Sequence, residues 1–328
     1  MLFVTNGDAA ADRLLRLGLA DEVLPWRDVL HEGPVPSGLS PEELRDARAR
    51  FIAERGWGGF DEVLGDFARR DSVLDGFRDH DEVVLWFEHD LYDQLQLIQL
   101  LDRFDGRDLG TSRLTLVCAD DYLGTLAPER LRVLFEERHE VSGGALDLGH
   151  RAWLAFTSPD PGQISDLLLT DTSGLPFLEG ALLRHLEQFP SVRTGLSRSE
   201  TQILEAILEG HRILREAFVS SQDREERLFL GDSVFAAYLE DLSATGEPLV
   251  LFEDGTWIVA PRDPASLNGF WDSKAKVTQT GRAVLEGDRD KIGLSPIDRW
   301  LGGVHLGGEE ARWRWDGSAG QLRHGLAS

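Results

Sequence analysis

The sequence predicts an α/β fold for its N-terminal half, with a Rossmann-like, mostly parallel sheet. A second, mainly helical, winged-helix-like domain is expected to follow. Two observations carry the first expectation. Short apolar runs alternate with amphipathic stretches as far as residue 138, and repeated strand–helix units joined by crossovers imply parallel strands. A third observation carries the second expectation: from about residue 150 this rhythm gives way to helical patterns broken by one ribbon signal. The division read from the change is 1–150 for the α/β domain, 151–177 for a turn-rich linker, and 178–328 for the helical domain with its Trp/Gly-rich tail.

Leu2-Phe3-Val4-Thr5 is the first strand and runs into Asn6-Gly7-Asp8. An amphipathic helix follows, with Leu14, Leu15, Leu17 and Leu19 on its apolar side. Asp21–Pro25 reads as a second short strand. Ser40 before Pro41-Glu42-Glu43 is a helix cap followed by proline at the first helical position, and that helix runs to about Arg55. Another helix covers about Phe60–Phe77. Glu82–Phe87 is a buried strand, Leu91–Phe104 a helix, Arg113–Cys118 a strand and Pro128–Arg138 a helix. Turn signals at Asp160-Pro161-Gly162 and Asp171-Thr172-Ser173-Gly174 precede helical patterns over 177–189, 198–210 and 232–243. Pro248–Phe252, the turn Glu253-Asp254-Gly255 and Thr256–Val259 read as a β-ribbon, with a helix near Thr280–Leu285 beyond it.

Composition narrows the function classes. The chain has 328 residues, is 41% hydrophobic and carries a net charge of −24. That charge opposes non-specific binding to nucleic acid and to anionic membranes. No apolar run approaches the roughly 18–20 residues that span a bilayer. Met1–Asp8 has neither a basic segment nor a long apolar core, so it reads as a strand rather than an export signal, and a cytoplasmic location is expected. Cys118 is the one cysteine, which excludes an intramolecular disulfide. It lies in an apolar strand, the setting of a core residue rather than a nucleophile. No GxGxxG, Walker A, HExxH, CxxC or nucleophile-elbow motif is present, so no dinucleotide or P-loop cofactor is expected. A divalent metal is compatible with the polar inventory, and the sequence sets no oligomeric state.

Ligands of open parallel sheets sit outside the carboxyl ends of the strands. That rule selects three stretches. The first is Asn6-Gly7-Asp8, which opens a helix whose free N–H groups attract anions; Asp8 serves equally well as the helix cap. The second is Glu88-His89-Asp90-Leu91-Tyr92-Asp93-Gln94. A histidine beside carboxylates suits acid–base work or a metal. On a helix, His89 would share a face with Asp93, and Asp90 with Gln94. A capped helix start explains the aspartates but not His89. The third is Trp26–Pro36, a loop in which Arg27 suits a phosphate or carboxylate, and His31 with Glu32 suits a base and its orienting partner. Its structural alternative is a loop pinned by Arg27–Asp28 and a buried Trp26. The expected pocket has His31, Glu32, His89 and Asp90 as catalytic groups. Asn6, Gly7, Asp8, Arg27, Asp93 and Gln94 bind the ligand, with Glu88 and the pair Asp120–Asp121 ranked behind.

Three quoted stretches together resemble an uncharacterised bacterial group, the domain-of-unknown-function family 1835: Thr5–Ala10, Trp26–Pro34 and Trp86–Leu95. The resemblance covers residues 1 to about 125. Thr280–Leu285 and Asp298–Leu306 resemble the longer members with an added C-terminal helical domain. The resemblance identifies kin without supplying a reaction.

In the second domain the DNA-reading candidate, Asp232–Leu242, contains no arginine or lysine, which disfavours nucleic acid as a partner. The tail, with Arg299, His305 and Trp313-Arg314-Trp315, reads as a packed terminal segment or as a flap over the first domain's pocket. Two functions stay open: a hydrolase or group-transfer enzyme acting on a small polar or phosphorylated ligand, and a ligand-sensing regulator acting through protein contacts.

Overall fold

The computed structural model describes residues 1–262, 264–308 and 312–325. The chain falls into two units. One comprises Met1–Ile52, Gly58–Leu183 and Gly302–Val304; the other comprises Ala53–Trp57, Arg184–Leu301 and His305–Ser328.

The first unit opens with β1 (Leu2–Thr5), α1 (Asp8–Leu15), β2 (Glu22–Pro25) and β3 (Gly33–Pro34). There follow α2 (Pro41–Glu54), α3 (Phe60–Asp75), β4 (Glu82–Phe87), α4 (Leu91–Phe104), β5 (Arg113–Cys118), α5 (Pro128–Glu136), β6 (His139–Glu140), α6 (Gly143–Thr157), α7 (Gly162–Leu168) and α8 (Leu178–Leu186). The main sheet has the order β2-β1-β4-β5-β6. β1 pairs parallel with β2 and β4, β4 parallel with β5, and only β6 runs antiparallel. The predicted mostly parallel sheet is therefore present. Its growth reverses direction between β1 and β4, the position at which open α/β sheets hold their ligands.

Burial explains why these segments form strands and helices. All four residues of β1 and all six of β4 are buried, as expected for central strands covered on both faces. Phe3, Leu14, Leu17, Val84, Trp86, Val117 and Leu131 join in one core on the α1/α5 side. Leu15 does not join them and is 60% exposed, because α1 ends there and only Leu14 and Leu17 turn inward. Ser40 caps α2 in the expected way: its hydroxyl accepts from Glu43 N–H while the Glu43 carboxylate accepts from Ser40 N–H.

The 151–177 stretch carries the second half of α6 and all of α7 rather than linker alone, and the first unit continues to Leu183. Three glycines in α6 hide its helical pattern, since glycine disfavours helix interiors. Packing overrides propensity. A Cβ on Gly149 would lie 2.4 Å from Leu101 Cβ, so glycine lets α6 press against α4.

Gly302–Val304 completes the first unit. Val35 N–H donates to Gly302 O, and Gly303 N–H donates to Phe156 O, both at 2.9 Å. A Cβ on Gly303 would stand 1.8 Å from Thr157 O, a backbone atom that cannot swing aside. Gly303→Ala is expected to lower the unfolding free energy by roughly 2–3 kcal/mol through overpacking. A urea midpoint shift at unchanged slope would measure this. A wild-type midpoint would mean the segment is not held this closely.

The second unit contains α9 (Arg198–Leu208), α10 (Leu214–Gln222), α11 (Asp232–Ser243), β7 (Val250–Phe252), α12 (Pro264–Asp272), β8 (Ala275–Val277), α13 (Gln279–Glu286) and α14 (Lys291–Leu294). β9 (Ile297–Gly302), β10 (Val304–Gly308), β11 (Trp313–Asp316) and β12 (Gln321–His324) follow. Thr256–Val259, read as the second strand of a ribbon, forms none. Phe252 N–H bonds Thr256 O to close the turn, and β7 pairs instead with the more distant β8. Trp257 and Val259 are left 62% and 63% exposed. Outside Gly302–Val304, the tail side chains named as candidates make contacts in the second unit. His305 stacks on Trp300 and meets Asp298 at 2.7 Å, while Arg299 donates to the Tyr238 hydroxyl. Among the described residues no helix is long and apolar enough to cross a membrane.

Candidate active site

Side chains from the loops that leave β1 and β4 meet beyond the ends of those two strands. Asn6 follows β1, and Glu88-His89-Asp90 follows β4. Asp90 is the cap of α4: its Oδ1 accepts from Asp93 N–H at 3.2 Å. Asp93, in the first turn, bends back so that its Oδ1 accepts from Glu88 N–H at 2.7 Å and its Oδ2 from Asn6 Nδ2 at 2.8 Å. Glu88 Oε1 accepts from Leu123 N–H at 2.7 Å. Gln94 Nε2 donates to Glu88 O at 2.6 Å, which ties the start of α4 to the end of β4.

These bonds draw three carboxylates together. One oxygen from each of Glu88, Asp90 and Asp93 can be chosen so that all lie within 4.8 Å of one another, and all three residues are buried. Burial raises the proton affinity of each. For Asp90 burial and the Glu88 charge push it up to about 7. For Asp93 burial comes first and the charges of Asp90 and Glu88 add to it, holding the carboxyl well above its usual range. Glu88 is raised by burial against hydrogen bonds from Leu123, Asn6 and Gly124. Burial is the largest influence on all three, ahead of their mutual charges and the hydrogen bonds they accept. Like charges this close in a desolvated place must share protons or share a cation.

The histidines flank the cluster. The His31 ring meets Tyr92 edge-on with centroids 5.9 Å apart, and the Tyr92 hydroxyl donates to Asn6 O at 3.2 Å. His31 and Glu32 are both buried. His89 lies ahead of α4, not on its first turn, so it shares no helix face with Asp93. Its ring packs against Tyr122 at 4.9 Å and Phe177 at 5.9 Å.

Asp8 and Arg27 are brought together, but at the surface. Arg27 Nε bonds Asp8 Oδ2 at 2.9 Å, and the side chains are 49% and 68% exposed. The cap of α1 is Gly7, with extended backbone and no side-chain bond, and Asp8 is the first helical residue. Arg27 does not pin Asp28; Arg48 does, donating to Asp28 Oδ1 from Nη2 at 2.7 Å and from Nε at 3.0 Å. Arg48 also reaches Glu32 O at 2.6 Å and Val29 O at 2.9 Å, so it fixes the loop that carries His31. Trp26 is buried, with Nε1 donating to Gln99 Oε1 at 2.8 Å.

Sequence reasoning missed Arg48, Arg70 and Tyr92. The first two sit at core-facing positions of α2 and α3, beside Ala49 and Phe67, and a charge at an apolar position of the period was the available signal. No protein-family model matches the chain, and no curated protein matches it.

Proposed function

We infer that Glu88, Asp90 and Asp93 are the divalent-cation centre of an enzyme that hydrolyses, or transfers a group from, a small polar or phosphorylated substrate. The carrying observation is three buried carboxylates, one oxygen of each lying within 4.8 Å of the others. Oxygen ligands at about 2.0–2.1 Å around Mg²⁺, or about 2.3–2.6 Å around Ca²⁺, stand at most roughly 4–5 Å apart, and the three oxygens here all fall within 4.8 Å. Carboxylates suit Mg²⁺, Mn²⁺ and Ca²⁺ rather than soft metals. A cation there supplies Lewis-acid stabilisation of a developing oxyanion.

His89 and His31 are the acid–base residues of this reading, with Glu32 positioning His31. Asn6 and Gln94 order the carboxylates, and Gly7, Asp8 and Arg27 line the outer approach. The strand order supports a Rossmann-like, doubly wound assignment, and the three quoted motifs support membership of the 1835 family.

The test is a titration of chelator-treated protein with Mg²⁺ and Mn²⁺, followed by calorimetry and Mn²⁺ spin resonance. One saturable site is expected. Asp93→Asn should weaken it at least about tenfold through the loss of a charged ligand. His89→Gln should keep the cation and lose turnover in a phosphoester hydrolysis screen. A wild-type chain that binds neither ion overturns the reading.

One observation favours a regulatory second unit. The order α9, an Ile213–Lys274 bridge, α10, α11, β7 and β8 supports reading it as winged-helix-like. α11 carries Asp232, Glu240 and Asp241 and no basic residue, which directs that reading toward protein contacts.

A further inference from the structure

Away from the carboxylates, the first unit contains a cavity of about 140 Å³ between α2, α3 and the last turns of α4. Its walls hold four guanidinium groups, Arg45, Arg48, Arg70 and Arg103, against the carboxylates of Asp28, Asp71 and Asp102. The partners are unevenly shared. Arg48 uses Asp28. His150 Nδ1 engages Asp102 at 2.7 Å. The remaining three arginines converge on one buried carboxylate: Arg45 at 3.0 Å, Arg103 at 2.7 Å and Arg70 at 3.3 Å from Asp71. Glu42 and Asp75, which also approach Arg45 and Arg103, are 72% and 55% exposed and lie outside the buried end. At the buried end of the cavity, Asp71 is thus the carboxylate that Arg45, Arg70 and Arg103 share.

Arg70 is the sharpest case. Its guanidinium lies over Trp26 at 3.9 Å and over Phe67 at 4.4 Å, so aromatic rings cover it and direct its N–H groups edgewise. Nε and Nη1 make only long bonds, at 3.3 Å, to Asp71 and to Arg27 O, and among the described residues Nη2 makes none. This Nη2 is without a protein acceptor among the described residues but is not sealed from solvent, so an incoming group can reach it. Burial lowers the proton affinity of Arg70 even with Asp71 and Asp28 nearby. An oxyanion in the cavity would complete the donor set of Arg70.

We propose that this cavity is an anion site that takes a phosphate group on Arg70, Arg45 and Arg103, either inorganic phosphate or the phosphoryl end of a small phosphomonoester. A planar guanidinium fork matches two phosphate oxygens. The volume admits a phosphate and a few more atoms, with Trp153 and Phe67 as apolar wall. The site is separate from the carboxylate cluster. Asp93 is in the first turn of α4 and Arg103 in the last, about 15 Å along the helix at 1.5 Å per residue. It does not depend on the cation reading above.

The test uses full-length protein in chelator, so that no phosphate binds through a cation. Calorimetry with inorganic phosphate at ionic strength matched by chloride should show one saturable site. Arg70→Met and Arg45→Gln should each weaken it at least about tenfold, the effect of one lost charge-assisted bond. Asp93→Asn should leave it unchanged. If Arg70→Met does not fold, Arg45→Gln decides, because Arg45 lies nearer the surface and buries no aromatic contact. Glycerol phosphate binding more tightly than phosphate identifies a monoester as the ligand; equal or weaker binding identifies the free ion. Absence of saturable binding, acetate binding as tightly as phosphate, or phosphate affinity unmoved by Arg45→Gln overturns the proposal.

Discussion

Arg48→Met is expected to lower the unfolding free energy by about 3–5 kcal/mol, the usual cost of breaking a buried ion pair from one side. Arg48 and Asp28 are both buried, with side chains 1% and 2% exposed. Methionine would fill much of the volume but leave Asp28 charged, desolvated and without its guanidinium. It would also free Val29 O and Glu32 O, two carbonyls that Arg48 now satisfies. The double variant Arg48→Met/Asp28→Leu should recover most of the loss, since replacing both partners by apolar groups is often neutral. Urea unfolding of the three chains measures the cycle. A single-variant loss below about 1 kcal/mol would mean that water reaches the pair. The loop holding His31 should also become a protease site in Arg48→Met, because its anchoring bonds are gone.

The second large effect is a linkage between pH and stability at the carboxylate cluster. The Asp90 carboxyl stands at about 7 in the folded chain against 3.8 for the ordinary group. Over that interval the folded state binds the extra proton, so the contribution of Asp90 to stability falls as pH rises from about 4 through about 7. The total is on the order of 4 kcal/mol. His185 acts in the opposite sense. Burial, with Arg299 and Arg184 beside it, lowers it to about 3, so its contribution rises with pH up to about 6.5. The clean measurement is therefore a difference. In chelator, Asp90→Asn should gain stability relative to wild type as pH rises from 4 to 8. Adding Mn²⁺ at pH 8 should reverse the ranking, because only the wild type retains the full ligand set. A difference that does not change with pH would contradict the crowding of these acids.

The sheet and the strand-end residues were legible because both rest on local pattern. Val83–Phe87 is a continuous apolar run, and α4 begins and ends where its cap and apolar period put it. Asp90 as cap and Asp93 in the first turn follow from the same local rule. What was not legible depends on residues distant in sequence. Gly149 makes α6 look like a turn region until Leu101 is seen beside it. Thr256–Val259 has strand composition, but β7 finds its partner more than twenty residues on, at β8. Arg27-Asp28 reads as a neighbouring ion pair, yet the arginine turns to Asp8 and the aspartate to Arg48. Dense charge in a loop shows that pairing occurs, not which pairs form.

Gly302–Val304 has a bearing on the order of events during synthesis. The first unit needs these three residues, yet about 120 positions separate them from Leu183. At about 5–20 residues per second, a ribosome takes roughly 6–24 s to cover that interval. Through that interval the emerging sheet lacks the strap that bonds Val35 and Phe156. The nascent N-terminal half is thus held one step short of its finished form until most of the polypeptide has been translated.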